Sequence, residues 1–260
     1  MAAPADVALL ASSPPRAAAQ HGSVKLSKDI RSAHRRACAL LDLRAQVSDA
    51  LVKLKHPTGG LLAGIEMWSP RHVDGDARVC GPAFTVKMVS QADKDAPKPA
   101  QHFVDAAEPD SVMVVSAPPE TRSAVWGGLM SARAQAIGVK GVVLDGRCRD
   151  LSEHREAGFA VFARGHSTVG QSPFTRPSEL QVPITIRDAT LPADAAFGST
   201  VVNPHDLVLA DVDGVVVVPP SMAEDVLRLA QEGRDVDAKC MEDLKAGCGV
   251  KETFAKWRGK

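Results

Sequence analysis

The stretch that decides the fold is residues 111–163, SVMVVSAPPETRSAVWGGLMSARAQAIGVKGVVLDGRCRDLSEHREAGFAVFA. Three short apolar runs stand in it: Ser111-Val112-Met113-Val114-Val115, Gly141-Val142-Val143-Leu144 and Ala160-Val161-Phe162-Ala163. Continuous apolar runs of this length predict strands buried on both faces. Between the first two, residues 125–137 predict a helix with Leu129, Ala132, Ala136 and Ile137 along one side. A short helix over 151–156 separates the second from the third. Strand, helix, strand, helix, strand implies parallel pairing through right-handed crossovers.

Outward from this core the pattern is less regular. Ile30, Ala33, Ala37, Leu40, Leu41, Val47, Leu51 and Leu54 recur at three- and four-residue steps, which predicts a helix over about 29–55 with Ser27 as a cap. His56-Pro57-Thr58-Gly59-Gly60 ends it. Residues 61–67 and 79–89 read as strands, with Gly81-Pro82 suited to an edge or a bend. Residues 91–99 read as a loop, 101–107 as a short helix and 165–178 as a loop. Strands are expected near 182–186, 207–210 and 215–218. The last two flank the tight turn Asp211-Val212-Asp213-Gly214, and a terminal helix follows over 221–244. The expected architecture is one α/β domain over 26–260, a mixed sandwich with helical N- and C-terminal flanks. Residues 1–25, rich in Ala, Pro and Ser, read as a flexible tail.

Composition narrows the function. Hydrophobic residues make up 45% of the 260, enough for a core. Lys plus Arg and Asp plus Glu balance at 31 each, which argues against nucleic acid or a membrane surface as the partner. Tyr is absent and aromatics are scarce, so base-stacking platforms are poorly supported. No apolar run approaches the roughly 20 residues of a membrane span, and no basic start leads into an apolar segment as in a signal peptide. Cys38, Cys80, Cys148, Cys240 and Cys248 form no CxxC pair and read as reduced thiols of a cytoplasmic protein.

The chemistry concentrates around two strand ends. Gly127-Gly128 precede a helix, where free N–H groups and the helix dipole suit a carboxylate or phosphate; the same pair also serves as plain loop punctuation. Arg149-Asp150 follow the second buried strand. An Arg fork can hold an enolate or carboxylate oxygen, and an Asp can hold Mg²⁺ or Mn²⁺. The competing reading makes Arg149 a surface charge and Asp150 a helix N-cap, with Glu153 completing a partial capping box. Cys148 as a nucleophile, and His102, His154 and His166 as catalytic groups, carry less weight, since nothing in their spacing predicts a partner. Asp145 reads as shaping a turn with Gly146, and Asp211 and Asp213 as turn residues rather than metal ligands.

Taken together, these motifs resemble the RraA-like family of 4-hydroxy-4-methyl-2-oxoglutarate aldolases and oxaloacetate decarboxylases. The residues that carry the resemblance are Gly127, Gly138, Gly141, Asp145-Gly146 and Arg149-Asp150, with Gly81-Pro82-Ala83-Phe84-Thr85-Val86, Ser48-Asp49-Ala50-Leu51, Val161-Phe162-Ala163-Arg164 and residues 211–219. Coverage is about residues 30 to 260, and the wording around Trp126-Gly127-Gly128-Leu129-Met130-Ser131 is similar to the fungal branch. The resemblance implies a swivelling β/β/α sandwich, a homotrimer or hexamer with sites between subunits, and a small 2-oxo acid substrate. It implies that Arg149 contacts substrate, that Asp150 holds Mg²⁺ or Mn²⁺, and that Gly127, Gly128, Leu129 and Met130 bind the substrate carboxylate. One departure stands out: many members carry an acid where this chain has Gly128. A neighbouring subunit's terminal helix could supply another, with Glu224, Asp225, Glu232 and Asp235 as candidates. The family also contains non-catalytic regulators that bind RNase E, and a different lyase or hydrolase of a specialised pathway fits the same fold. Methyltransferase chemistry is disfavoured, because no glycine-rich nucleotide loop leads to an acidic ribose ligand.

Overall fold

The computed structural model describes residues 44–188, 190–192, 195 and 197–259. The proposed tail and the first part of the 29–55 helix lie outside the described residues; what is described of that helix is α1 (Arg44–Lys53). The three apolar runs are strands β3 (Val112–Ser116), β5 (Gly141–Cys148) and β6 (Ala160–His166). They pair in parallel, β3 with β5 and β5 with β6, as the alternation with α2 (Gly128–Ala136) and α3 (Leu151–Glu156) requires. Strand β2 (Val79–Ser90) adds a fourth parallel member beside β3, and β1 (Glu66–Ser69) closes the other side antiparallel to β6.

The sheet has nine strands. Its main order is β1-β6-β5-β3-β2-β10-β11, with β4 (Ala124–Trp126) on β5 and β7 (Thr175–Leu180) on β2. Strands β10 (Leu207–Asp211) and β11 (Gly214–Val218) form the expected hairpin. Asp213 N–H donates to the Asp211 carboxylate at 3.0 Å, which is the turn role expected of the Asp-x-Asp-Gly sequence. A separate pair, β8 (Ile184–Arg187) and β9 (Ser199–Val202), packs on the sheet. The long helix α4 (Ala223–Lys245) covers α1, and α5 (Val250–Arg258) folds back on α4 through Trp257 and Lys256, which both bond Asp243. No helix among the described residues is long and apolar enough to cross a membrane.

Several expectations are corrected. The segment 165–178 is not all loop: β6 runs on to His166, and residues 175–180 pair with the second half of β2. Asp145-Gly146 is not a turn, because β5 continues through it to Cys148. Residues 101–107 make a turn rather than a helix, and of the strand expected over 61–67 only its end enters β1. Gly81-Pro82 sits in a central strand, not at an edge. Gly81 is required there by a close approach: a Cβ would lie 2.4 Å from the Asp110 carbonyl oxygen. Cys80 is disulfide-bonded, against the expectation of reduced thiols throughout, while Cys148, Cys240 and Cys248 are free.

Candidate active site at the ends of β4 and β5

The site begins with a strand that the sequence did not reveal. β4 lies parallel to the end of β5, with Trp126 opposite Cys148, and Arg149 N–H donates to the Trp126 carbonyl at 3.0 Å. The two chains therefore leave the sheet side by side. One delivers Gly127-Gly128 into α2, the other Arg149-Asp150 into α3. This is the carboxyl edge of the parallel strands, where open α/β sheets bind ligands.

Asp150 adopts the left-handed conformation, φ 60° and ψ 46°, and its carboxylate makes no cap to its own helix. It turns across the gap instead: Gly128 N–H donates to Asp150 Oδ2 at 2.9 Å. Arg149 Nε stands 3.5 Å from the same oxygen. A Cβ at Gly127 would lie 2.6 Å from Asp150 Oδ2 and 3.2 Å from Arg149 Nε, so glycine is required for the two side chains to come this close. The helix-cap reading of Asp150 thus fails on geometry.

Of the amides of Gly128, Leu129 and Met130, at the start of α2, two are already engaged. Gly128 N–H serves Asp150, and Met130 N–H donates to the Gly127 carbonyl at 3.0 Å. Leu129 N–H is left without an acceptor among the described residues, and the Leu129 side chain is 77% exposed beside it. Met130 instead packs against the core. On its far side the Arg149 guanidinium lies against Gly170 in the loop after β6, where a Cβ would meet Nη1 at 2.8 Å. A recess of about 510 Å³ adjoins this loop, lined by Pro118, Arg122, Ser123, Ser167, Val169 and Phe174 among others. Arg149 and Asp150 do not line it; they stand at the surface beyond that loop.

Of the other candidates His154 and Cys148 are buried behind the site, Asp145 is partly buried, and His102 and His166 are exposed. His154 is fully buried, its Nδ1 2.9 Å from Ser131 Oγ, which also accepts the Trp126 indole N–H at 2.8 Å. Burial lowers the His154 pKa below the ordinary imidazole value, outweighing the Arg149 backbone and the Asp150 carboxylate, which favour the charged form. The imidazole is therefore a neutral strut between α2 and α3. Burial pushes the Cys148 thiol up to about 12, so it stays protonated and is no nucleophile. Asp145 pairs with Arg164, which also binds the carbonyls of Ala63 and Arg187, so its role is to tie β5 to its neighbours. His102 and His166 lie tilted against Phe103 and Trp68, with ring centroids 4.7 and 4.9 Å apart.

The donor set suits a hard divalent cation. Asp150 offers a partly exposed carboxylate with one oxygen positioned by an amide, and no group of three or more His, Cys, Asp or Glu occurs among the described residues. A single protein carboxylate fits Mg²⁺ or Mn²⁺, which keep most of their water; it does not fit the closed shell of structural zinc.

With this geometry in place, the chain is assigned to the RraA-like family, whose description is Aldolase/RraA and which matches residues 44–217. Among its relatives is a Halalkalibacterium halodurans protein named "Putative 4-hydroxy-4-methyl-2-oxoglutarate aldolase". The two are 30% identical over 186 residues, covering 72% of this chain and 77% of that protein. A solved structure of an uncharacterized protein from Pseudomonas syringae pv. tomato superposes with a TM-score of 0.68 at 28% identity, over 86% of this chain and 96% of the other. Streptomyces coelicolor RraAS2, an unusual member of the RNase ES inhibitor RraA protein family, superposes with a TM-score of 0.65 at 25% identity, over 80% and 95%.

Proposed function

We propose that this protein is a divalent-metal-dependent carbon–carbon lyase. It cleaves 4-hydroxy-4-methyl-2-oxoglutarate in a retro-aldol sense to give pyruvate, and it decarboxylates oxaloacetate. The observation that carries the reading is the convergence of Arg149 and Asp150 on the Gly127-Gly128 turn, which a capping role would not produce. The relative named for that aldolase supports the same substrate class.

Asp150 would hold Mg²⁺ or Mn²⁺, which when bound polarises the keto oxygen of a 2-oxo acid and stabilises the charge released by carbon–carbon cleavage. Arg149, with its guanidinium half exposed, takes a share of that developing charge. Leu129 N–H, at the start of α2, orients the substrate carboxylate with help from the helix dipole. Arg122 at the mouth of the neighbouring recess offers a cation for the distal carboxylate of a dicarboxylic substrate. The working form in this reading is a homotrimer or hexamer. Leu129, Val169 and Phe174, all exposed around the site, supply the apolar rim that a second copy would cover.

The test is pyruvate release from both substrates with Mg²⁺, with Mn²⁺ and with EDTA. Metal-dependent release that is lost in D150A and R149A supports the lyase. Turnover that persists undiminished in EDTA, or in D150A, refutes it. A folded protein that is inactive on both substrates directs attention to the regulator reading, which the likeness to RraAS2 favours.

A further inference from the structure

Residue 128 has no side chain, yet its side-chain space is filled. A Cβ built on Gly128 would lie 1.5 Å from Glu153 Oε2, 2.6 Å from Cδ and 2.9 Å from Cβ. Glu153 is the third residue of α3, the position from which a capping-box carboxylate reaches back to its own helix start. It makes no such bond, and among the described residues it has no ion-pair partner either. Its carboxylate lies instead against the Gly128 α-carbon, while that residue's N–H holds Asp150 Oδ2 at 2.9 Å.

Two carboxylates therefore meet on one glycine, one from α3 and one from the residue just before it, with oxygens no more than about 7 Å apart. The nearby cation is Arg149, and it stands beside Asp150. Glu153 is exposed and Asp150 partly so, and two carboxylates beside one paired cation leave a net negative charge that suits a divalent ion. An ion on Asp150 keeps bound waters, and a carboxylate at this remove suits a hydrogen bond to one of them better than direct ligation.

We infer that Glu153 is a positioning residue that supplies the second carboxylate of the metal site, holding the ion's water, and that residue 128 is glycine to leave room for it. The acid is delivered from α3 in place of the loop. This rests on the reading of Asp150 as the metal ligand.

The experiment is Mn²⁺ binding to the full chain without substrate, followed by calorimetry and by the electron paramagnetic resonance signal of free Mn²⁺. The variants are D150A, E153Q, G128D and G128D/E153A, each checked for native circular dichroism and oligomeric state. E153Q keeps the shape and removes the charge; it weakens Mn²⁺ binding about tenfold, the lower end for a group that orients a metal's ligands. G128D alone also binds poorly, because its side chain collides with Glu153. G128D/E153A relieves the collision, returns a carboxylate to the same space and recovers binding to within about threefold of wild type. Wild-type affinity in E153Q, or a double variant no better than G128D, overturns the inference. If D150A binds Mn²⁺ as wild type does, the metal reading itself falls and Glu153 falls with it. If D150A loses binding and E153Q does not, only the role of Glu153 is refuted.

Discussion

Replacing Ser131 with Ala tests whether the joint behind the site is as interdependent as its geometry implies. Ser131 is 1% exposed and joins the Trp126 indole N–H at 2.8 Å to His154 Nδ1 at 2.9 Å. Trp126 is 2% exposed and His154 fully buried, so neither finds water when the hydroxyl goes. Each orphaned group costs about 1–3 kcal/mol. The methyl group of Ala fills most of the lost volume, so cavity cost is small. The expected destabilisation is about 2–6 kcal/mol, read from urea unfolding at pH 7.5 with wild type and variant at equal concentration. Because Trp126 precedes Gly127 and His154 follows Asp150, the variant also loosens the site, and Mn²⁺ affinity falls with stability. A loss below about 0.5 kcal/mol would refute the reasoning, since it would mean that the network holds nothing that solvent cannot replace.

Two further predictions follow from the same surroundings. Gly170→Ala places a methyl 2.8 Å from Arg149 Nη1, so the guanidinium must move; we expect KM for the 2-oxo acid to rise several-fold with native melting behaviour, and an unchanged KM would sink the idea that this loop seats Arg149. His154 has a folded pKa below its unfolded value of about 6.5, so the unfolded chain takes up a proton that the folded one refuses as pH drops through that range. Stability should therefore fall from pH 7.5 to 5.5 more steeply in wild type than in H154N, by at most about 1.4 kcal/mol per pH unit; parallel pH profiles would exclude His154 as the source.

The βαβ core was legible because its strands are buried on both faces and carry no polar interruption. β7 was not, because its residues TRPSEL hold a proline and an arginine. Arg176 is nevertheless buried, its guanidinium satisfied by the carbonyls of Asp93, Ala96 and Pro97. Local polarity gives no sign of such a distant set of acceptors. β4 and the end of β5 were hidden for a related reason: Asp145-Gly146-Arg147 has turn composition, and only pairing on both sides makes it strand. Arg149-Asp150 could be picked out as a pair, and only the geometry shows that Asp150 turns to the Gly128 N–H and leaves its own helix uncapped. The meeting of Glu153 with Gly128 had no signature at all, since it joins two residues through the return of a helix against a neighbouring strand end.

The clasp of α4 over α1 has a consequence for the order in which the molecule is made. Val47 and Leu51 are buried together with Leu207, Val218, Val226 and Ala230, and Gln46 bonds Asp237 across 191 positions. A ribosome releasing this chain would have freed all of β1 to β9 before either the hairpin strand Leu207–Asp211 or the helix that completes this cluster emerged. Contacts of such separation come late and slowly. The parallel core that carries Arg149 and Asp150 is free to form earlier, so in synthesis that core is assembled first and the α1–α4 clasp closes last.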